Sequence, residues 1–356
     1  MCHGVSAHFR HLAQEVGRER LAMKVFNVAV VGCGNVSRMH FEAYRASERM
    51  RIVAVCDPLP ERIAWARETY SVPQGFDSLP ALIAGADWDV AVVCTPTLVR
   101  EEAVGVLAAA GKHIFVEKPL ADTYDEALRI VETCERAGVT LAVNQNFRYH
   151  YPFDTARQWI AEDRIGAVRG VTQHDLMFRQ DAGWRITAAR HALSVMGVHW
   201  FDGFRWMLQD EARAIRCETY SSPAIDCVGE TDAFTQLTFA RGTVVSFVES
   251  FSSPVTKTET VVIGETGALR LTYDDLALFD REHRATPTAH WENPYRGTNK
   301  PAATRVNIER LFTALEDGTA PPHSGRDNLK TMALLDGAYR SAARGEEVTL
   351  NAEVLA

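Results

Sequence analysis

The sequence predicts two domains: an α/β domain on a parallel sheet with helices on both faces, then an α+β domain with a large, mainly antiparallel sheet. Three observations predict it. From residue 24 to about residue 144, apolar strand-like runs alternate with helix-like segments, the pattern of a sheet covered on both faces. The first run ends in Gly32-Cys33-Gly34-Asn35-Val36-Ser37, a glycine turn that leads into a helix. After residue 146 the alternation stops, and strand-like segments later follow one another with no helix between them.

In the first half, strands are expected at 25–31, 51–56, 89–94, 112–116 and 139–143, and helices at 38–49, 60–70, 98–110 and 123–137. A ligand of such a sheet sits at the C-terminal ends of the strands, where the strand order switches. Gly32 allows the tight turn and Gly34 lets the backbone approach a phosphate, with the helix N-terminus supplying free N–H groups. Ser37 stands where the fingerprint has its third glycine, and is small enough for close packing. The second strand ends at Asp57, where an acid can hold a ribose 2′-hydroxyl. Together these form the Rossmann dinucleotide fingerprint and predict NAD(P) as cofactor.

In the second half, helices are expected at 152–163 and 193–208, around a strand at 168–178. Strands follow at 213–220, 231–239, 243–251, 257–264, 267–273 and 276–280, with hairpin-like turns at 240–243 and 264–267. Helices on one face of this sheet would leave the other for a subunit interface. Residues 282–303 read as a long loop near the active site or the interface, and helices at 305–316 and 326–344 close the chain. The boundaries are therefore 23–145 for the Rossmann domain and 146–356 for the substrate and oligomerisation domain, whose C-terminal helices pack back on the first. Residues 1–22 read as a disordered N-terminal extension, and their His3, His8 and His11 are not taken as a metal site.

At 356 residues the chain can bury two proper cores, and a net charge of −8 with dispersed basic residues argues against nucleic acid or an anionic membrane surface as partner. No apolar run reaches the roughly 20 residues that span a bilayer. The seven cysteines include no C-x-x-C pair, which fits reduced thiols in a cytoplasmic protein without a metal site.

Four further stretches could carry chemistry. Thr95-Pro96 closes the strand at 89–94, either as an ordinary turn or as a wall of the nicotinamide pocket. Glu117-Lys118-Pro119 follows the strand at 112–116, where a buried charged pair is costly unless paired or used. Asn144-Gln-Asn-Phe-Arg148-Tyr149 lies at the domain junction and suits either a polyhydroxylated ligand or a hinge. Gly197-Val-His199 lies in an otherwise apolar helix, where a histidine is a packed core residue or, beside Lys118, a general base.

Taken in order, Gly32-Cys-Gly34-Asn, Asp57, Thr95-Pro96, Gly111-Lys-His-Ile-Phe-Val-Glu117-Lys118-Pro119, Gly183-Trp184-Arg185 and Gly197-Val-His199 resemble the Gfo/Idh/MocA family of glucose–fructose oxidoreductase and inositol dehydrogenase. The resemblance runs from about residue 25 to residue 348. It implies hydride transfer between nicotinamide and a sugar, polyol or inositol-like hydroxyl, a homodimer or homotetramer formed through the second sheet, and a cis Lys118–Pro119 bond. Carried over, Lys118 and His199 are the catalytic pair: Lys118 bonds the reacting oxygen and His199 accepts the hydroxyl proton. Gly32, Gly34, Asn35, Val36, Asp57, Thr95, Pro96, Glu117 and Lys118 hold the cofactor. Asp57 favours NAD, since a carboxylate repels a 2′-phosphate, while nearby Arg62 keeps NADP open. Arg148, Tyr149, Trp184, Arg185 and Asp202 are the candidate substrate contacts.

The sequence departs from the family at two points. The aspartate that commonly precedes the histidine by one helical turn is Val195 here, and the histidine soon after Thr-Pro is missing, with Arg100 near its place. The leading expectation is an NAD(P)-dependent dehydrogenase or reductase. The alternative, resting on Val195, is a sensor that binds NAD(P) without catalysis.

Overall fold

A computed structural model describes residues 24–350. The extension at 1–22 lies outside the described residues.

The first sheet contains β1 (Phe26–Val31), β2 (Met50–Cys56), β3 (Gln74–Phe76), β4 (Val90–Val93), β5 (His113–Val116) and β6 (Leu141–Val143), all parallel, in the order β3-β2-β1-β4-β5-β6. The order reverses between β1 and β4, so a crevice opens beyond their C-terminal ends. Val28, Ala29 and Val30 are fully buried, as are all four residues of β4, which explains the unbroken apolar runs. The sheet is flanked by α1 (Ser37–Arg45), α2 (Pro60–Tyr70), α3 (Leu79–Gly85), α4 (Arg100–Ala109) and α5 (Tyr124–Arg136). A capping box of Thr123 and Glu126 sets the start of α5.

Two short segments, α6 (Phe147–His150) and α7 (Phe153–Ala161), lead into the second domain. Its sheet contains β7 (Val168–Phe178), β8 (Ala212–Tyr220), β9 (Asp232–Phe239), β10 (Val244–Ser250), β11 (Ser252–Gly264), β12 (Gly267–Leu271), β13 (Asp275–Asp280), β14 (Ala289–Glu292) and β15 (Val348–Thr349). Their order is β14-β13-β12-β11-β7-β10-β9-β8-β15, antiparallel throughout except where β10 runs parallel to β7. A π-helical turn (Leu193–Gly197) continues into α8 (Val198–Leu208). The chain closes with α9 (Lys300–Asp317) and α10 (Gly325–Arg344). The α9 helix crosses back to the first domain: Phe312 stacks on Phe26 at 4.4 Å, and Arg49 donates to Glu316 at 2.6 Å.

Most expected elements stand within a few residues of their predicted bounds, and the exceptions have simple causes. The β3 strand is a three-residue edge strand with a glycine inside it, paired only with β2. The expected loop at 282–303 contains β14, an edge strand that alternates half-buried and exposed residues and so carries no apolar signal. It also ends early, because Pro301 sits in the first turn of α9, where proline is tolerated. The β11 strand begins at Ser252, five residues before its expected start, since its first half is largely exposed.

Candidate active site

The turn after β1 is built for an anion. Gly32 has φ +91°, and a Cβ there would meet the Cys94 carbonyl carbon at 3.0 Å, so both backbone conformation and space require glycine. Nothing lies within 4 Å of where a Cβ of Gly34 would be, which leaves its face open. Ser37 donates through Oγ to the Gly34 carbonyl at 2.6 Å, and no side chain caps the N-terminus of α1. Within the turn the Ser37 amide donates to the Gly34 carbonyl at 3.1 Å and the Met39 amide to the Val36 carbonyl at 3.2 Å, so the amides that could meet a phosphate are those of Gly34, Asn35 and Val36. Asn35 is exposed and Val36 half-buried on the same turn. Asp57 is 2% exposed; it accepts from the Cys33 N–H at 2.8 Å and from the Leu59 N–H at 3.0 Å, and Arg62 stands 3.7 Å away.

Orphaned polar atoms mark the rest of the crevice. Thr95 Oγ1, beyond β4, and both amide atoms of Gln145, beyond β6, are buried with no partner. Pro96 beside them is exposed. Open glycine face, uncapped helix and orphaned donors at the strand ends fit a dinucleotide along this edge.

Glu117, at the end of β5, is 5% exposed and accepts from His40 Nε2 at 2.6 Å and from Asn144 Nδ2 at 2.7 Å. The Tyr44 hydroxyl donates to the other ring nitrogen of His40 at 2.7 Å, and Asn307 on α9 donates to Asn144 at 3.2 Å. Burial pulls the Glu117 carboxyl up, but the His40 and Asn144 hydrogen bonds and the charge of Lys118 outweigh it and hold it at about 2. Sequence reading missed His40, although its place beside Phe41 and four residues before Tyr44, on the buried face of α1, was the available signal. It also missed what Arg100 does. Buried at the start of α4, Arg100 donates to the carbonyls of Thr95, Glu117 and Pro119, and so clamps the loop that carries Lys118. The Lys118–Pro119 bond is cis.

Lys118 Nζ donates to the main-chain carbonyl of Val195 at 2.7 Å. Burial, then the positive charge of Lys300, pulls the Lys118 ammonium down to about 7; Arg185 and Arg179 add to this, and Glu117 opposes it. One helical turn beyond Val195, His199 is 1% exposed, and neither of its ring nitrogens has a partner. Its ring stacks on Phe147 at 3.9 Å. Burial and the nearby charges of Lys118 and Lys300 hold the imidazole well below its ordinary value, so it is neutral at neutral pH.

Beneath this pair, Glu249 on β10 is wholly buried and neither carboxyl oxygen has a partner. A Cβ on Gly197 would come within 2.9 Å of its Oε2, so the carboxyl lies directly against the π-helical turn. Burial, then the neighbouring carboxyl of Asp175, raises it well above the ordinary range. Inward alternation along β10 (Val245, Phe247, Glu249) was the signal that could have singled it out.

The candidate substrate contacts divide. Arg148 and Asp202 are buried against each other through two hydrogen bonds of 2.7 Å, and Arg148 also binds Asp327, so their bonding capacity is taken up between α6, α8 and α10. The Tyr149 hydroxyl is buried, and its ring lies under Arg310 at 5.0 Å. Trp184 is 48% exposed, with the Arg185 guanidinium over its ring at 5.4 Å. The positive charge of Arg185 contributes to the lowering at Lys118, whereas Arg148 and Asp202 belong to a separate ionic cluster.

Residues 26–145 match the family model described as oxidoreductase family, NAD-binding Rossmann fold, and residues 153–270 match the GFO/IDH/MocA C-terminal domain. The chain is 32% identical to a D-apiose dehydrogenase of Paraburkholderia graminis, over 95% of this chain and 93% of that one. It is 26% identical to an inositol 2-dehydrogenase of Rhizobium meliloti, over 90% and 98% of the two chains. Among solved structures, levoglucosan dehydrogenase in complex with NADH shares the fold with a TM-score of 0.83 at 20% identity, covering 92% of this chain and all of that one (100%).

Proposed function

The chain belongs to the Gfo/Idh/MocA oxidoreductase family, and from that premise we propose that it oxidises a hydroxyl of a sugar, polyol or inositol-like substrate, or reduces the matching carbonyl, with NAD as cofactor. One observation carries this reading: a buried, neutral His199 with both ring nitrogens unpartnered, one helical turn from the carbonyl that holds Lys118. A protein that only bound nucleotide would have no use for a buried, orphaned base beside an amine drawn down to about 7.

Gly32, Gly34, Asn35 and Val36 would hold the pyrophosphate, and Asp57 the adenosine ribose. Thr95, Pro96, Glu117 and Lys118 would face the nicotinamide end. When bound, the nicotinamide supplies the hydride acceptor or donor at its C4. Lys118 donates a hydrogen bond to the reacting oxygen and stabilises its alkoxide character. A ring nitrogen of His199 takes the hydroxyl proton as the C=O bond forms, and returns it in the reverse direction. Glu117, kept ionised by His40 and Asn144, opposes the loss of the Lys118 charge. Val195 lacks the family's carboxylate, and its backbone carbonyl accepts from the Lys118 amine.

The reading extends to a cytoplasmic homo-oligomer. The six described cysteines are all free, five of them buried. Tyr220, Phe234, Val255 and Ile263 leave apolar surface on strands of the second sheet for a partner subunit, which light scattering of the purified protein tests. The enzymatic reading is tested by following nicotinamide absorbance with aldoses, polyols, inositols and keto-sugars, using NAD(H) and NADP(H). Turnover that disappears in Lys118→Ala and His199→Asn is the expected result. Tight cofactor binding without turnover of any substrate would sink it.

A further inference from the structure

The Val195 carbonyl that receives Lys118 belongs to the π-helical turn at Leu193–Gly197, and one residue distant in sequence fixes the start of that turn. Glu230, just before β9, takes three successive amides. The His191 N–H donates to its carboxyl Oε2 at 3.0 Å, the Ala192 N–H to its main-chain carbonyl at 3.1 Å, and the Leu193 N–H to its carboxyl Oε1 at 2.9 Å. Ala192, at the N-cap, has no side chain that could accept a hydrogen bond, so the carboxylate supplies what the local sequence lacks. Glu230 is buried, and the Tyr339 hydroxyl on α10 donates to its Oε1 at 2.8 Å. The two chain segments approach closely: a Cβ on Gly229 would stand 2.9 Å from the Ala188 carbonyl oxygen.

The same segment is tied to the loop that carries Lys118. Arg190 donates to the Asp122 carbonyl on that loop at 2.5 Å and to Asp336 on α10 at 2.9 Å, with its guanidinium over the Tyr339 ring at 4.5 Å. Loop and segment therefore meet at two points, Lys118 on Val195 and Asp122 on Arg190, and Glu230 fixes the backbone between them. π-Helical turns are rare and are found mostly at functional sites. An ammonium with one of its donors committed to a fixed carbonyl is restricted in where the others point.

We propose that Glu230 is a positioning residue of the reaction: by holding the amides of His191, Ala192 and Leu193 it sets where the Val195 carbonyl stands, and that carbonyl aims the Lys118 ammonium. This rests on the dehydrogenase reading, in which Lys118 bonds the reacting oxygen.

The test uses Glu230→Gln, Glu230→Asp and Tyr339→Phe in the full-length protein, with two readouts. One is kcat and KM for the sugar or polyol that turns over, measured well below each variant's melting temperature. The other is the titration of Lys118, followed by NMR of lysine labelled with carbon-13 at Cε and assigned by loss of the signal in Lys118→Met. Glu230→Gln sets an amide group against a backbone donor, and Glu230→Asp keeps the charge but is too short to serve both amides. Each should lower kcat by about 10- to 100-fold, as for a misplaced catalytic group. KM should move by less than about threefold. In both variants the Lys118 titration should shift to lower pH, because an ammonium that loses a fixed acceptor gives up its proton more readily. The groups that act on Lys118 (Glu117, Arg179, Arg185, His199, Glu249 and Lys300) are the same residues in every variant. Tyr339→Phe spares the charge and both amide bonds, and should show smaller changes of the same sign.

A titration that shifts in Glu230→Gln but not in Glu230→Asp assigns the effect to charge and overturns the inference. An unshifted titration with kcat falling only as the folded fraction falls overturns it too. If neither Glu230 variant folds, Tyr339→Phe decides, and wild-type kcat and titration in that variant overturn the inference. If the wild type turns over no compound, the dehydrogenase reading fails separately and the titration alone decides whether Glu230 sets Lys118.

Discussion

Lys118 and Val195 are joined by a 2.7 Å hydrogen bond from the lysine ammonium to the valine carbonyl, so a residue with an inert side chain fixes the amine through its backbone. The contact comes from the π-helical turn at Leu193–Gly197, which lies across from the loop clamped by Arg100. In the protein without ligand this amine is drawn down to about 7 by burial, Lys300, Arg185 and Arg179, against Glu117. A lysine depressed from 10.5 contributes stability that is present above its unfolded value and lost as pH falls through the folded one. Lys118→Met should therefore melt higher than the wild type at pH ~6, with the gap closing as pH approaches ~10. The same variant should lose at least about 100-fold in kcat. A pH-independent gap in melting temperature would show that the amine is not perturbed.

Glu249 has the opposite sign of effect. Its folded value is raised by burial and by Asp175, with Glu230 adding to this and Arg179 and Lys118 opposing it. A raised carboxyl contributes stability that is complete below its unfolded value near 4.5 and is lost as pH rises toward the folded value. Glu249→Gln keeps the shape and cannot ionise, so it should match the wild type in thermal midpoint near pH ~4.5 and exceed it increasingly toward pH ~8. A variant less stable than the wild type at pH ~8 would mean that the carboxylate is ionised and paired in the native state.

The residues that were legible in sequence are those whose role is set by the local backbone or by motif order. Gly32 and Gly34 follow from the turn after a buried strand, Asp57 and Lys118 stand just beyond strands that apolar periodicity locates, and His199, inside an apolar helix, stood out through motif order. The residues that escaped reach the site from distant elements. His40 meets Glu117 across 77 positions, and Lys300 reaches Phe147 from the start of a helix that follows an irregular loop. Nothing local in Lys300 distinguishes it from a solvated lysine, whereas Glu249 breaks an inward apolar alternation and was findable. Arg148 shows the reverse case. An arginine in an amide-rich junction suits a polar ligand, yet its partners Asp202 and Asp327 come from α8 and α10.

The Arg148 cluster gives a stability prediction distinct from catalysis. Its guanidinium is fully buried between Asp202, Asp327 and the Pro322 carbonyl, with its charge state fixed by the two acids. Arg148→Met leaves the buried Asp202 with only a hydrogen bond from Thr331 at 3.1 Å and Arg205 at 3.8 Å, and should cost about 3 kcal/mol in urea unfolding. Adding Asp202→Leu removes the stranded charge and should recover part of that loss, a coupling a double-mutant cycle measures. An Arg148→Met protein of unchanged stability but raised substrate KM would restore Arg148 as a substrate contact.

Cofactor choice turns on Asp57 and Arg62. The carboxylate is held in place by the Cys33 and Leu59 amides at the end of β2, while the half-exposed Arg62 guanidinium stands 3.7 Å from it. An ionised group at this position repels a 2′-phosphate and accepts hydrogen bonds from a free ribose hydroxyl. Asp57→Ser removes the repulsion, keeps an acceptor for the Cys33 amide, and frees Arg62 to meet a phosphate. The ratio of kcat/KM for NADP over NAD should rise by at least about tenfold, the equivalent of one modest charged contact. Asp57→Ser with Arg62→Ala should give back most of that gain. If the ratio does not move in Asp57→Ser, the adenosine ribose is not read at Asp57, and the preference must come from elsewhere on the crevice.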